Sequence, residues 1–238
     1  MRPVALLFVF LLAVVAFGAD SEAVATRAAR AYAAGEWASA QALYGIVTES
    51  DPASAAATAR LIVSAEQRAD STAAAPALER YMSAGAPLEP LLDEVEELCF
   101  NLGRADMYEA LLHRLAQQTA YLRRPLALRL LKFYIFRGNP SATIEYARLL
   151  LRGLPGDPQY LNAMGKAYMM LGDTAEALRC YGESLHSDPD NLDALLALGN
   201  YYGTLDDAAR ALPYLRHAQE LAPTPFLADE IERLQNLN

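Results

Sequence analysis

Leu161-Asn162-Ala163-Met164-Gly165-Lys166-Ala167-Tyr168 leads into Leu171-Gly172-Asp173, then Ala177-Leu178-Arg179-Cys180-Tyr181 and Asp188-Pro189. Thirty-four residues downstream the same succession of side-chain sizes returns: Gly199 answers Gly165, Tyr202 answers Tyr168, Ala211 answers Ala177, Leu215 answers Tyr181 and Pro223 answers Pro189. A fixed period of this length marks a stacked array of identical structural units. Composition agrees. Of 238 residues 53% are apolar and 21% charged, which excludes a disordered or collagen-like chain. Alanine and leucine dominate. No alternating strand pattern competes, so helix is expected throughout. A net charge of −9 speaks against nucleic acid or an anionic membrane as a general partner.

These recurring residues resemble the tetratricopeptide repeat. That family places bulky residues at positions 4 and 7, Gly or Ala at 8, Tyr at 11, Ala at 20, an aromatic at 24 and Pro at 32. Small side chains at 8 and 20 let two antiparallel helices approach, and large residues fill the space around that contact. The same ruler applied to residues 21–54 puts Gly35-Glu36-Trp37 at 15 to 17, Ala40 at 20, Tyr44 at 24 and Pro52 at 32. Residues 124–157 place Tyr134 at 11, Gly138 at 15 and Pro155 at 32, but Leu131 and Thr143 stand where small residues belong. Units 55–88 and 89–123 keep the length and the helical periodicity and little else.

The resemblance implies an all-α fold: a right-handed α-solenoid of about six tetratricopeptide-like hairpins over residues 20–225, with units at 21–54, 55–88, 89–123, 124–157, 158–191 and 192–225. Residues 226–238 read as a capping helix with Phe226, Ile231, Leu234 and Leu237 on one stripe. The rival arrangement is two short arrays flanking an irregular helical middle. Pro213 is expected to bend its helix or to sit in the early turns.

At the N-terminus, Arg2 followed by the uncharged run Val4–Ala16 and by Ala16-Phe17-Gly18 reads as a signal peptide over residues 1–19, cleaved before or after Ala19. Export, to a bacterial periplasm, is the expectation; an inner-membrane anchor formed by residues 3–19 is the alternative. Only in that alternative is the membrane a partner. Cys99 and Cys180 fall in helical patterns about two repeats apart. Neighbouring helices lie ~10 Å apart, whereas a disulfide needs Cα atoms within ~7 Å, so two separate core thiols are expected.

Catalytic chemistry has no sequence support. His113, His186 and His217 fall on the second helix of three different units and cannot converge on one metal. Nucleophile-elbow, zinc-protease, phosphate-loop and dinucleotide fingerprints do not occur. Asp188-Pro189-Asp190-Asn191 lacks the spacing of a calcium loop and reads as a helix N-cap. The chain is therefore read as non-catalytic, with no cofactor and no metal.

Family positions 2, 5, 6, 9, 12 and 13 of the first helix face the inner groove of such arrays. The resemblance then assigns to the groove Arg129, Lys132, Ile135 and Phe136 in the fourth unit, Gln159, Asn162, Lys166, Met169 and Met170 in the fifth, and Asp193, Leu196 and Asn200 in the sixth. Lys132, Lys166 and Asn200 form a rail at position 9, beside an apolar strip of Ile135, Phe136, Met169 and Met170. Such a surface suits an extended peptide or a partner protein. The carboxylate clamp of some family members does not fit, because Leu128, Ala163 and Ala197 occupy clamp positions. Two readings follow: an adaptor that binds its partner in the groove, or a structural or assembly component of a cell-envelope complex that uses the convex face. A solvated salt-bridge ladder along the rail is the bland alternative to a binding role.

Overall fold

A computed structural model describes residues 22–237. The signal-peptide expectation for residues 1–19 lies outside them. The described chain is an all-α helical repeat solenoid that divides into two compact units, the first ending at Arg123 and the second beginning at Arg124. The first unit carries α1 (residues 22–33), α2 (Trp37–Ser50), α3 (Ala55–Gln67), α4 (Ala74–Ser83), α5 (Leu88–Asn101) and α6 (Ala105–Gln118), then a short 3-10 turn at Ala120–Leu122. The second carries α7 (Arg123–Phe136), α8 (Pro140–Leu151), α9 (Pro158–Leu171), α10 (Thr174–Ser187), α11 (Leu192–Thr204), α12 (Ala208–Leu221) and α13 (Pro225–Gln235). No described helix is long and apolar enough to cross a membrane.

One backbone device is repeated through both units. Gly35, Ala69, Gly103, Gly138, Gly172 and Asp206, spaced by 34 or 35 residues, all take left-handed φ angles between 53° and 78°. In each case the next residue's N–H donates to the carbonyl five residues back, at 2.8–3.0 Å. This is the Schellman closure of a helix, and it turns each first helix into its antiparallel partner. Four of the six positions use glycine, which has no Cβ to clash in this conformation. Ala69 has one. Exchanging Ala69 for Gly should therefore raise stability by about 0.5–1 kcal/mol, because relief of the left-handed strain exceeds the extra entropy of the unfolded chain. A urea midpoint that falls would contradict this.

Three of the six second helices (α8, α10 and α12), three first helices (α3, α9 and α11) and α13 are capped by the residue just before them. Ser54, Asn139, Asp157, Asp173, Asn191, Asp207 and Thr224 each accept a main-chain N–H from the first turn that follows. Asn191 confirms the N-cap reading of the Asp188–Asn191 segment. Pro213 is the sixth residue of α12, and the helix continues through it.

In the first unit α3 packs on α5 and α4 on α6. Ile62, Leu78, Tyr81, Leu91, Leu92, Tyr108, Leu111, Leu112 and Leu115 are fully buried between the helices. Glu66 on α3 and Arg114 on α6 form an ion pair inside this unit, with the Glu66 side chain only 7% exposed.

In the second unit the close helix contact is visible atom by atom. A Cβ on Gly165 would lie 2.8 Å from two ring carbons of Tyr181, and one on Gly199 would lie 2.5 Å from Leu215 Cδ2. Ala177 and Ala211 are fully buried beside them. The two glycines therefore occupy equivalent surroundings. The hairpin α7/α8 reverses the sizes: Leu131 takes the glycine position and Ala147 the position of Tyr181, and both are buried in one cluster with Tyr160 and Met164. Volume is conserved while the order of large and small is exchanged.

The C-terminal helix differs from expectation. Its buried stripe is Leu227, Ile231 and Leu234, packed on α11 and α12, whereas Phe226 and Leu237 face solvent. Spacing explains this, since 227, 231 and 234 share one helical face. Arg233 fixes the helix by donating to the Gly203 carbonyl at 2.9 Å and to Asp206 at 2.7 Å.

Cys99 and Cys180 are both free and fully buried, in different units. Burial pushes the Cys99 thiol up to about 12 and the Cys180 thiol up to about 11. The thiolate is the reactive form, so neither should react with a thiol reagent at pH 8 in the folded protein, and both should react in denaturant. Rapid labelling of either thiol under native conditions would contradict the packing described.

Candidate functional site

The second unit contains a cleft of about 400 Å³. Its floor is α9, where Gln159, Asn162, Ala163, Lys166, Ala167 and Met170 lie on one face. Ala163 and Ala167 are small, and their size leaves the volume open. One wall is the end of α7 and the turn after it, with Tyr134, Ile135, Gly138, Asn139 and Pro140, joined by Thr143 from α8. Asn191 and Asp193 at the start of α11 form the other.

The polar groups are tied across the repeats. Asn162 Nδ2 donates to Asn191 Oδ1 at 2.7 Å, and that same oxygen accepts the Ala194 N–H at 3.1 Å. Lys166 Nζ lies 3.2 Å from Asp193 Oδ2, with both side chains 61% exposed. Asn139 Oδ1 caps α8. The Thr143 hydroxyl donates to the Asn139 carbonyl at 2.8 Å. Ile135 and Met170 expose apolar surface beside these groups.

Of the residues that sequence reasoning assigned to a groove, the structure gathers Ile135, Asn162, Lys166 and Met170 in the cleft, together with Gln159 and Asp193. Lys132, Phe136, Met169 and Asn200 are exposed on α7, α9 and α11 but do not line it. Arg129 is a correction: it is buried. Helix α7 buries a broad arc, with Leu126, Leu130 and Phe133 inaccessible as well as Ala127, Leu131 and Tyr134. Arg129 lies three residues from Leu126 and four from Phe133, so it falls at the edge of that arc and not on the open face. The cationic rail is also interrupted, because Lys166 is matched by Asp193. Tyr134, Asn139, Thr143 and Asn191 were missed. Asn139 and Asn191 carried a sequence signal, as asparagines placed to cap a following helix.

Among the described residues no group of His, Cys, Asp and Glu could hold a metal ion. The arrangement offers hydrogen-bond partners, one neutralised ion pair and an apolar surface that can adapt to a ligand.

Sequence profiles of the tetratricopeptide repeat match residues 25–89, 158–191 and 192–225, together more than half of the chain. Among curated proteins the chain is similar to the protein O-mannosyl-transferase Tmtc3 of Drosophila melanogaster, 27% identical over 158 residues. That match covers 61% of this chain and 17% of the length of the relative. Among solved structures, the C-terminal part of a TPR repeat-containing protein from Cytophaga hutchinsonii superimposes with a TM-score of 0.51 at 17% identity, covering 88% of this chain and 84% of that one. MamA superimposes with a TM-score of 0.50 at 16% identity, covering 60% and 83%. These two share the fold. With the matched repeats, the six recurrent left-handed turns and the paired contacts at Gly165 and Gly199 in view, the chain belongs to the tetratricopeptide repeat family.

Proposed function

We propose that the chain is a non-catalytic protein–protein interaction scaffold that holds an extended segment of a partner in the cleft of its second unit. The repeats support the scaffold role. The observation that carries the finer reading is the cleft itself, where exposed Ile135 and Met170 stand beside the Asn162 amide and the Lys166–Asp193 pair. Apolar side chains supply affinity there, and polar groups fix the register of a bound chain. Because the cleft is built on four packed helices it is already formed, and little ordering entropy opposes binding. Lys132, Phe136, Met169 and Asn200 extend the same helix faces outside the cleft and can contact the flanks of a longer ligand.

Selection from a random-peptide display library tests this. Wild-type protein should enrich a set of related sequences. The exposed pair of changes Lys166→Glu and Met170→Glu should leave the fold intact and lose those sequences by at least about tenfold, the equivalent of one lost contact of ordinary strength. Equal enrichment on both proteins would contradict the assignment of the cleft.

A further inference from the structure

The hairpin α7/α8 is a basic block in an acidic chain. Residues 124–152 hold Arg124, Arg129, Lys132, Arg137, Arg148 and Arg152 against the single acid Glu145, while the whole chain carries −9. Elsewhere in the second unit cations are matched by acids: Lys166 by Asp193, Arg179 by Glu176 and Glu183, Arg210 by Asp207, and Arg233 by Asp206 and Glu230. Arg216 on α12 is the exception. On the hairpin, the side chains of Arg124, Lys132, Arg137 and Arg152 are exposed and form no ion pair or hydrogen bond among the described residues.

Helix electrostatics account for two of these and not for a third. Arg137 and Arg152 directly follow α7 and α8, and a cation is favoured at a helix C-terminus. Arg124 is the second residue of α7, at the positive end of the helix dipole, where a cation is disfavoured. Its guanidinium lies over Gly153: a Cβ on that glycine would stand 2.7 Å from Arg124 Nη1. The bare glycine thus lets Arg124 lie against the turn that begins at Arg152, and two unmatched guanidiniums gather at one end of the hairpin. Exposed apolar surface adjoins them. Leu149 precedes Arg152 by three residues on the same side of α8, and Leu154 follows Gly153 in the turn. The acids nearest in sequence do not neutralise the pair. Asp157 accepts the Gln159 N–H at 2.9 Å as the cap of α9, and Glu145 lies two helical turns before Arg152.

We propose that this end of the hairpin, with Arg124, Arg152, Leu149 and Leu154, docks an acidic segment of a partner protein. It is a second contact, independent of the cleft, which takes its α7 wall from the opposite end of that helix. Arginine forks pair with carboxylates through two parallel hydrogen bonds, and the leucines receive an apolar side chain between the acids. Charge also selects among anions. A compact acidic segment meets only the charges within a screening length of ~8–10 Å. An extended polyanion, such as nucleic acid or an anionic bilayer, also meets the negative charge on the rest of the chain.

The probe is a labelled synthetic peptide of glutamates around one central leucine, titrated with the protein at low salt and followed by fluorescence anisotropy. Wild type should bind it saturably, and added salt should weaken the complex steeply. The pair of changes Arg124→Glu and Arg152→Gln should weaken binding about tenfold or more, and Arg124→Gln alone should weaken it in the same direction. Arg216→Glu removes an unmatched cation elsewhere in the unit, and Lys166→Glu with Met170→Glu disables the cleft; both proteins should bind the probe as wild type does, within about twofold. Arg124→Glu should melt no lower than wild type, because the first turn of α7 favours an anion. Four results would overturn the proposal: no saturable binding by wild type, an equal loss in Arg216→Glu or in the cleft variant, a labelled DNA duplex or phosphatidylglycerol vesicles bound as tightly as the peptide, or a melting point in Arg124→Glu well below wild type, which would assign the arginine to the fold.

Discussion

Tyr181→Ala should lower the stability of the second unit by about 3–5 kcal/mol, the usual cost of deleting a buried aromatic ring. Tyr181 is 3% exposed and its ring covers Gly165, within contact distance of where a Cβ would stand. Tyr181→Leu should cost less than about 1.5 kcal/mol, because leucine already fills the corresponding place at Leu215 above Gly199. The reciprocal change, Gly165→Leu, drives a side chain into an occupied site and should cost about 1–3 kcal/mol or more. The hairpin α7/α8 shows how the two changes can compensate, since Leu131 there faces the space that small Ala147 leaves. Combining Gly165→Leu with Tyr181→Ala should therefore cost at least about 1 kcal/mol less than the sum of the single changes. Urea unfolding of the four proteins measures this. Strict additivity would show that the pair does not share one packing space.

The second large effect lies in the first unit. Arg114→Met should cost about 3–5 kcal/mol, because it leaves the Glu66 carboxylate charged and enclosed without its partner. Arg114 Nε is itself buried without a hydrogen bond, so the pair is imperfectly satisfied even when intact. Replacing both residues, with Arg114→Met and Glu66→Leu together, should recover most of that loss, since a well-packed apolar pair avoids the desolvation that both charges suffer. If the single change is nearly neutral, the pair is more hydrated than its burial implies.

The sequence carried the fold most clearly where size and backbone conformation coincide. At Gly165, Gly172, Ala177 and Tyr181 the residue type states both its volume and its turn, and the next unit repeats it at Gly199, Ala211 and Leu215. Elsewhere the same geometry is reached with other residues. Ala69 and Asp206 adopt the left-handed turn without being glycine. Leu131 and Ala147 exchange large for small, so a ruler that looks for a small residue at the first position finds none. Ile62 and Leu78, both buried, fill the equivalent places with two medium side chains. These substitutions preserve volume and erase identity, and so the repeat fades in the sequence between residues 55 and 157.

The candidate site was legible on its floor and, on its walls, at Ile135 and Asp193. The family positions implied by the resemblance placed Asn162, Lys166 and Met170 on the inner face of α9. Whether a neighbour covers such a face depends on tertiary packing. Arg129 shows the limit: its family position is open, but the apolar residues Leu126, Leu130 and Phe133 widen the buried arc of α7 until it reaches Arg129. Tyr134, Asn139, Thr143 and Asn191 enter the cleft from a helix end, a turn, a second helix and a cap, and no single periodicity relates them to α9.

The six methionines of the chain offer a direct test of where a partner segment sits. Methyl spectra of protein labelled at methionine, titrated with an enriched peptide, should show the Met170 signal moving saturably, with the same affinity as binding measured calorimetrically. Met82 and Met107, in the first unit, should stay fixed. A Met170 signal that does not move while the peptide binds, or movement confined to Met82 and Met107, would contradict the claim that the cleft on α9 is where this scaffold holds its partner.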